Sequence, residues 1–468
     1  MPNAGGAARV MLHLGLGSFH RAHQALYLHR LIEAGDAAWE LAGGNLRPDM
    51  ADTIDALIEQ GGAYTLETVS PDGVRDYTRI GSIRRVVRHT PDLTDLVAIG
   101  ADAATRIVSF TVTEAGYYLD PKGQLDVSAP DIAADAAAAA AGRPGSTIYG
   151  ALVALLRARM LNGAGAVTLL NCDNLRHNGD TLRAGLLQFI EHIGDRALRA
   201  WVQDHTSSPN AMVDRITPRP TSELRERVRA ATGWDDRAPV MGEHFIQWVI
   251  EDDFCNGRPA WHSVGVEMVP SVAPYEEAKI RILNASHSCI AWAGTLRGMT
   301  YIHEGTRDAT IRRIAHDYVT DDVIPCLQPS PIDLAAYRDI TLERFGNAAL
   351  LDTNQRVAMD GFSKIPGFIA PTLRERLEQR QSIASVVMLP ALFLAYLQRW
   401  HRGELPHTYH DQAMDPAVAH RICAAADPVA AFAADAGLWG ALAGEPVLVA
   451  ALRPAFERVG RFAEERVA

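Results

Sequence analysis

Only three lysines, Lys122, Lys279 and Lys364, stand among the 45 lysines and arginines of this 468-residue chain. Arginine serves well as a surface cation but does not lose its proton in a protein, whereas a buried lysine amine can be tuned towards neutral pH. A lysine kept in such a chain is therefore a candidate for proton transfer. Lys122 falls in a turn-like Asp-Pro-Lys-Gly stretch, while Lys279 and Lys364 fall in dense polar motifs. The first reads Tyr275-Glu276-Glu277-Ala278-Lys279-Ile280-Arg281-Ile282-Leu283-Asn284-Ala285-Ser286-His287. In a regular helix, Asn284 and His287 share nearly one face and Lys279 lies about a turn and a third earlier. Apolar Ile280, Leu283 and Ile290 flank them, and burial would disfavour the ammonium form of Lys279. A neutral amine can take the proton of a hydroxyl as hydride leaves the carbon. An asparagine amide can donate to the developing alkoxide. The alternative is a helix carrying three solvated polar residues.

A second chemical motif lies near the start. Gly15-Leu16-Gly17-Ser18-Phe19-His20 follows the strand-like Val10–Leu14 and opens a helical pattern. The first glycine permits a tight turn, and the second lets backbone N–H groups approach a pyrophosphate at a helix start. Gly15, Gly17, Ser18 and Phe19 are thus candidate cofactor contacts. His20 replaces the third glycine of the usual fingerprint, so a plain glycine turn is the competing reading. A ribose-binding carboxylate is expected at the tip of the second strand, where the sequence runs Gly43-Gly44-Asn45-Leu46-Arg47-Pro48-Asp49. Asp49 is the nearest acid. Arg47 would suit a 2′-phosphate, but the reading favours NAD over NADP. Tyr275-x-x-x-Lys279 imitates the Tyr/Lys pair of short-chain dehydrogenases. Those chains are much shorter and carry a TGxxxGxG loop that is absent here, so lysine is preferred as the base.

These motifs need an alternating framework. Strand patterns at Val10–Leu14, Trp39–Gly43, Ile107–Thr113 and Val167–Cys172 are interleaved with helical patterns at His20–Ala34, Ala51–Glu59 and Ile148–Leu161. Tyr64–Ser70 and Tyr77–Ile83 read as a hairpin around Pro71-Asp72-Gly73. Alternation of this kind predicts a parallel sheet with helices on its faces. From Tyr275 onward the patterns are mainly helical, interrupted near 325–331 and 361–371. The expected class is α/β, with an N-terminal Rossmann-type dinucleotide-binding domain over 1–270 and a mainly helical substrate and catalytic domain over 271–468.

Composition excludes several classes. The net charge of −11 argues against nucleic acid or an anionic membrane as partner. Five dispersed cysteines without a CxxC pair argue against a disulfide framework or a structural zinc, and no metal is expected. Ile383–Leu397 is apolar but short for a membrane span and contains Pro390, so it reads as a core helix. A reduced, cytoplasmic protein is expected.

The motifs together resemble the polyol-specific long-chain dehydrogenase family, which includes mannitol 2-dehydrogenases. The likeness rests on Gly15-x-Gly17-x-Phe19-His20-Arg21-Ala22-His23-Gln24, Thr113-Glu114-x-Gly116-Tyr117, Cys172-Asp173-Asn174-Leu175 and Asp214-Arg215-Ile216-Thr217-Pro218. Lys279-x-x-x-x-Asn284-x-x-His287-Ser288 and Asp360-Gly361-x-Ser363-Lys364-Ile365-Pro366 complete it. The resemblance implies a two-domain enzyme with its active site in the cleft and no metal. Lys279 would be the general acid/base, with Asn174 and Asn284 as an amide pair around the reacting oxygen and Asp214 as an acidic neighbour tuning the lysine or relaying its protons. His287, Arg356 and Lys364 would bind substrate hydroxyls. It also implies a monomer or weak homo-oligomer. The expected reaction is NAD-dependent oxidation of D-arabinitol to D-xylulose. Oxidation of D-mannitol to D-fructose and reduction of a hexuronate are the alternatives, and an inactive NAD-binding sensor is the rival of another class. Glu114, at a strand end, is either a site carboxylate near the cofactor or a capping residue. His20 and His23 either line the nicotinamide side or pack internally. His244 and the Arg344-Phe345-Gly346-Asn347 turn read as structural.

Overall fold

Twelve strands form among the described residues. They are β1 Arg9–Leu14, β2 Trp39–Gly44, β3 Tyr64–Val69, β4 Arg75–Ile80, β5 Ile83–Val86 and β6 Thr105–Phe110, then β7 Val167–Asn171, β8 Thr206–Ser207, β9 Ala211–Asp214, β10 Val240–Glu243, β11 Gln247–Glu251 and β12 Glu267–Val269. The structure, a computed structural model, describes residues 8–120 and 122–464. Two units separate: residues 1–69 with 75–273, and residues 70–74 with 274–468.

In the first unit six strands pair in parallel in the order β5-β2-β1-β6-β7-β8. The sequence reverses direction of winding at β1 and β6, which leaves a crevice at their C-terminal ends, the place where doubly wound sheets bind ligands. The central strands β1, β2, β6 and β7 are buried along nearly their whole length because both sheet faces are covered. One face packs Met11, Leu41 and Ile107 against Leu28, Leu31 and Trp248, and the other packs Leu12, Val108 and Leu169 against Leu152, Leu156 and Leu186. Two three-stranded sheets, β10-β3-β4 and β12-β11-β9, complete this unit.

Three local expectations are corrected. The helix expected over His20–Ala34 breaks at His23, giving Ser18–Ala22 and Gln24–Glu33. The buried His23 ring bonds through Nε2 to the Gln247 carbonyl (2.9 Å) and packs edge-on to Tyr27 and Trp248, which holds its backbone out of helical geometry. The hairpin strand ends at Ile80 rather than Ile83. After Gly81 and Ser82, whose hydroxyl donates to the Ala25 carbonyl (2.7 Å), Ile83 enters the main sheet beside Leu41. Strands β8 to β12 are not anticipated by the sequence reading; they span two to five residues and carry little periodic signal.

The second unit is helical. Its centre is the helix Ala285–Leu296, buried at nearly every position, with Trp292 donating to the Ala358 carbonyl (3.1 Å). Met388–His401, the apolar segment, is likewise a core helix, and no helix among the described residues is long and apolar enough to cross a membrane. The break expected at 361–371 is instead one continuous run. Helix Gly361–Lys364 passes through a π segment, Ile365–Ile369, into helix Ala370–Glu378. Pro366 has no N–H to give the regular ladder, and the widened turn accommodates it.

Candidate active site

The glycine loop sits at the C-terminal end of β1. Gly15 has φ +113°, and a Cβ there would stand 2.4 Å from the Thr111 carbonyl oxygen, so only glycine fits. Gly17 precedes helix Ser18–Ala22 with φ −73°, and the nearest atom to its imagined Cβ is 3.9 Å away. The space beside Gly17 is open, as a pyrophosphate would require. Leu16 N–H donates to Asn45 Oδ1 (2.8 Å), tying the loop to the tip of β2. His13 lies beneath: it contacts Ser109 Oγ (2.8 Å) and the Gly15 carbonyl (3.1 Å), and burial lowers its pKa to about 3. His20, in the third-glycine position, stacks on His13 with ring centroids 3.4 Å apart. A flat, buried ring thus fills the helix–strand contact that glycine usually provides. His20 and His23 are both fully buried and pack internally. Asp49 is exposed in the turn Pro48–Met50, beyond buried Asn45.

The ends of β6 and β7 are fastened to each other. The Asp173 carboxylate accepts from Val112 N–H (3.0 Å), Thr113 N–H (2.9 Å) and Tyr117 Oη (2.5 Å). Burial raises its pKa against these donors. The bonds hold Thr113 at φ +69°, a strained conformation for a β-branched residue. Asn178 Nδ2 donates to the carbonyls of Asn171, Asp173 and Ala211, fixing the same turn. Asn174 is exposed on that turn, and Glu114 is exposed in the 3-10 turn Glu114–Tyr117. Asp214 ends β9 and is buried. Its neighbour Arg215 anchors it, donating to the Glu243 carbonyl (2.8 and 2.5 Å) and the Ala22 carbonyl (2.5 Å).

In the second unit, Lys279 is 7% exposed and opens a π segment, Lys279–Asn284. This corrects the regular-helix geometry. In an α-helix, residues five apart differ by about 140° around the axis. A π turn bonds i to i+5, so Asn284 comes beneath Lys279 on the same side. His287 follows one turn later. Its Nε2 lies 3.2 Å from Asp352 Oδ2, and its ring stacks on Phe345 at 4.2 Å. The turn read as structural therefore supports a candidate ligand-binding histidine. Burial lowers the His287 pKa, although Asp352 opposes it. Asp352 also accepts both Nε (2.8 Å) and Nη2 (2.7 Å) of Arg356. Lys364 Nζ donates to the Val357 carbonyl (2.6 Å), and burial brings its pKa to about 8, with Asp360 pulling upward and Arg356 downward.

The structure thus gathers His287 and Arg356 on Asp352, with Lys364 close enough for its charge to be felt by both, and puts Lys279 and Asn284 in one register on the helix leading to His287. Asp352 is absent from the sequence reading, and Asn45 and Asp173 appear there only inside motifs, without a role. Asp352 carried one legible signal, its spacing of four from Arg356 on a helical pattern. Asp173 and Asn45 show their roles only as partners of distant backbone. Among the described residues, no group of three or more His, Cys, Asp or Glu is arranged to hold a metal ion.

A doubly wound sheet with an open glycine loop, and a helical unit carrying a buried lysine over an asparagine, define a Rossmann-based two-domain protein of the dehydrogenase type. The chain belongs to the mannitol dehydrogenase family: residues 9–263 match the mannitol dehydrogenase Rossmann domain and 271–460 the mannitol dehydrogenase C-terminal domain. It is 61% identical over 455 residues to D-arabinitol 4-dehydrogenase of Ralstonia nicotianae, covering 97% of each chain. It is 52% identical to D-arabinitol 4-dehydrogenase of Klebsiella pneumoniae, covering 94% of this chain and 96% of that one. Among solved structures it resembles Pseudomonas fluorescens mannitol 2-dehydrogenase in ternary complex with NAD and D-mannitol. The TM-score is 0.84 and the identity 33%, over 98% of this chain and 94% of that chain.

Proposed function

We propose that this chain is an NAD-dependent polyol dehydrogenase that oxidises D-arabinitol to D-xylulose, with Lys279 as acid/base. The observation that carries the chemistry is the π turn that puts buried Lys279 and Asn284 on one side of their helix. The 61% identity to a D-arabinitol 4-dehydrogenase over 97% of both chains supports the substrate. The cofactor is NAD. Its nicotinamide, when bound, supplies the hydride acceptor. Gly15, Gly17, Ser18 and Phe19 are its proposed backbone cradle, with Asp49 and Glu114 as further cofactor contacts.

The rest falls to the chain's own groups. The neutral Lys279 amine takes the hydroxyl proton as the carbinol hydrogen departs with its electron pair, leaving a ketone. Asn284 and Asn174 donate amide hydrogens to the oxygen while its charge develops, where preorganised donors count most. The buried Asp214 carboxylate either tunes the lysine or accepts its proton and passes it on. His287, Arg356 and Lys364 hold the remaining hydroxyls. Arg356 has two of its nitrogens committed to Asp352, and its Nη1 makes no hydrogen bond among the described residues. Domain 1–270 is thus proposed to bind the dinucleotide and domain 271–468 the polyol.

The test is NADH formation with D-arabinitol, D-mannitol, D-sorbitol, ribitol and xylitol, with and without EDTA. Turnover of D-arabinitol at the highest kcat/KM, unaffected by EDTA, is expected. A preference for D-mannitol would replace the substrate assignment, and silence with both NAD and NADP would refute the polyol reading in favour of the hexuronate one and then of a binding protein.

A further inference from the structure

The widened turn under Lys279 is held by groups the reaction itself does not use. The carbonyl of Arg281, inside the π segment, accepts a hydrogen bond of 2.9 Å from the hydroxyl of Tyr318. Tyr318 is fully buried and opens a second π segment, Tyr318–Val323. The guanidinium of Arg281, 7% exposed, donates to Glu277 Oε2 (2.6 Å) and forks onto Glu375, through Nη1 to Oε2 (2.8 Å) and Nη2 to Oε1 (2.7 Å). Glu375 stands on helix Ala370–Glu378, the continuation of the run that begins Gly361–Lys364.

A π turn withdraws backbone groups from the regular i to i−4 ladder, and a buried carbonyl must find a donor elsewhere. A hydroxyl supplied from another helix at that carbonyl favours the wide turn over the α alternative. Reversion to α would swing Asn284 about 140° from Lys279. Two-point arginine–carboxylate pairs fix direction as well as distance. The Arg281–Glu375 fork therefore ties the segment of the proton-transfer lysine to that of the hydroxyl-binding lysine, Lys364.

We infer that Tyr318 and Arg281 are positioning residues: the Tyr318 hydroxyl and the Arg281–Glu375 fork keep Lys279 and Asn284 in π register, and so aimed at one reacting oxygen. This rests on Lys279 being the acid/base. Tyr318→Phe removes one oxygen and leaves the ring in place. Its kcat on D-arabinitol is expected to fall about tenfold, equivalent to about 1.4 kcal/mol. The pH limb of kcat should shift, while KM for NAD stays within about twofold because the dinucleotide loop lies in the other unit. Arg281→Lys keeps the charge but loses the fork, and should raise the polyol KM as well as lower kcat. Lys279→Ala, assayed alongside, separates two failures. An active Lys279→Ala enzyme would overturn the acid/base reading and this inference with it. An inactive Lys279→Ala enzyme beside a Tyr318→Phe enzyme with unchanged kcat and pH profile would overturn the positioning role alone. So would a Tyr318→Phe enzyme that merely melts earlier, with normal kcat per folded molecule.

Discussion

Replacing the two loop glycines one at a time separates shape from binding. At Gly15, alanine must adopt φ +113° and place a Cβ 2.4 Å from the Thr111 carbonyl oxygen. The backbone conformation costs roughly 1–3 kcal/mol for a residue with a side chain. The overlap is with backbone that is itself bonded, Thr111 N–H to the Leu14 carbonyl at 3.1 Å, so it cannot rotate away. Overpacking of this kind costs roughly 1–3 kcal/mol more. Gly15→Ala should therefore destabilise the first unit by about 4 kcal/mol, a large part of a domain's stability. At Gly17 the backbone is ordinary and the nearest atom is 3.9 Å from the new Cβ. The entropic gain of Gly→Ala at a compatible position, about 0.4–1 kcal/mol, is offset by alanine's poorer helix capping. Stability should change by less than about 1 kcal/mol. The methyl would nevertheless stand in the space proposed for the pyrophosphate, and NADH affinity should drop at least about tenfold, or about 1.4 kcal/mol. Urea unfolding followed by tryptophan fluorescence and titration of NADH fluorescence read the two effects. A Gly15→Ala protein with the parental midpoint would refute the strain argument. A Gly17→Ala protein that binds NADH normally would refute the position of the cofactor.

Other outcomes follow from the helical unit. Lys279→Ala should lose about 10²–10⁴ in kcat while binding NADH unchanged; retained turnover would eliminate the lysine mechanism. Asp352→Asn should cost roughly 2 kcal/mol and raise the polyol KM, because His287 and Arg356 lose their common anchor. Although burial pushes the Asp352 carboxyl up, the His287 and Arg356 donors hold it well below the usual range. Its stabilisation is therefore complete above the ordinary carboxyl pKa, about 4, and is lost as pH falls below that. Acid unfolding of Asp352→Asn should show a shallower pH dependence than the parent, and equal slopes would contradict the pairing. Lys364, lowered to about 8, works with the opposite sign. The unfolded chain holds this proton at higher pH than the folded one, so the lysine destabilises below pH about 8 by roughly 3 kcal/mol, and the loss is relieved as pH rises towards its free value. Lys364→Met should lack that alkaline gain in a urea titration. Polyol KM in the parent should climb above the same pH as the ammonium donor is lost, and a flat KM profile would remove Lys364 from substrate binding.

Chemistry was most legible where residue type alone constrains it. Three lysines in an arginine-rich chain pointed to Lys279 and Lys364, and a strand followed by Gly-x-Gly pointed to the loop. Alternating apolar runs were enough for an α/β first half and a helical second half. The resemblance to a family, rather than spacing, supplied Asn174, Asp214 and Arg356.

What the sequence by itself determined was the inventory and its local periodicity: which groups can transfer protons, which segments are helical, and where a backbone can approach a phosphate. The π register of Lys279 and Asn284 was decided only in the tertiary structure. A turn of five residues and one of four differ by small backbone changes, and the donor that selects between them, Tyr318, lies 37 residues from Arg281 in the chain. The same holds for Asp173 clamping Val112 and Thr113, for Asn45 receiving Leu16, and for the ring of His20 stacking on His13 where a third glycine was expected. Each is a contact between separate elements or the loops that end them, and neither partner alone carries a pattern that announces the other.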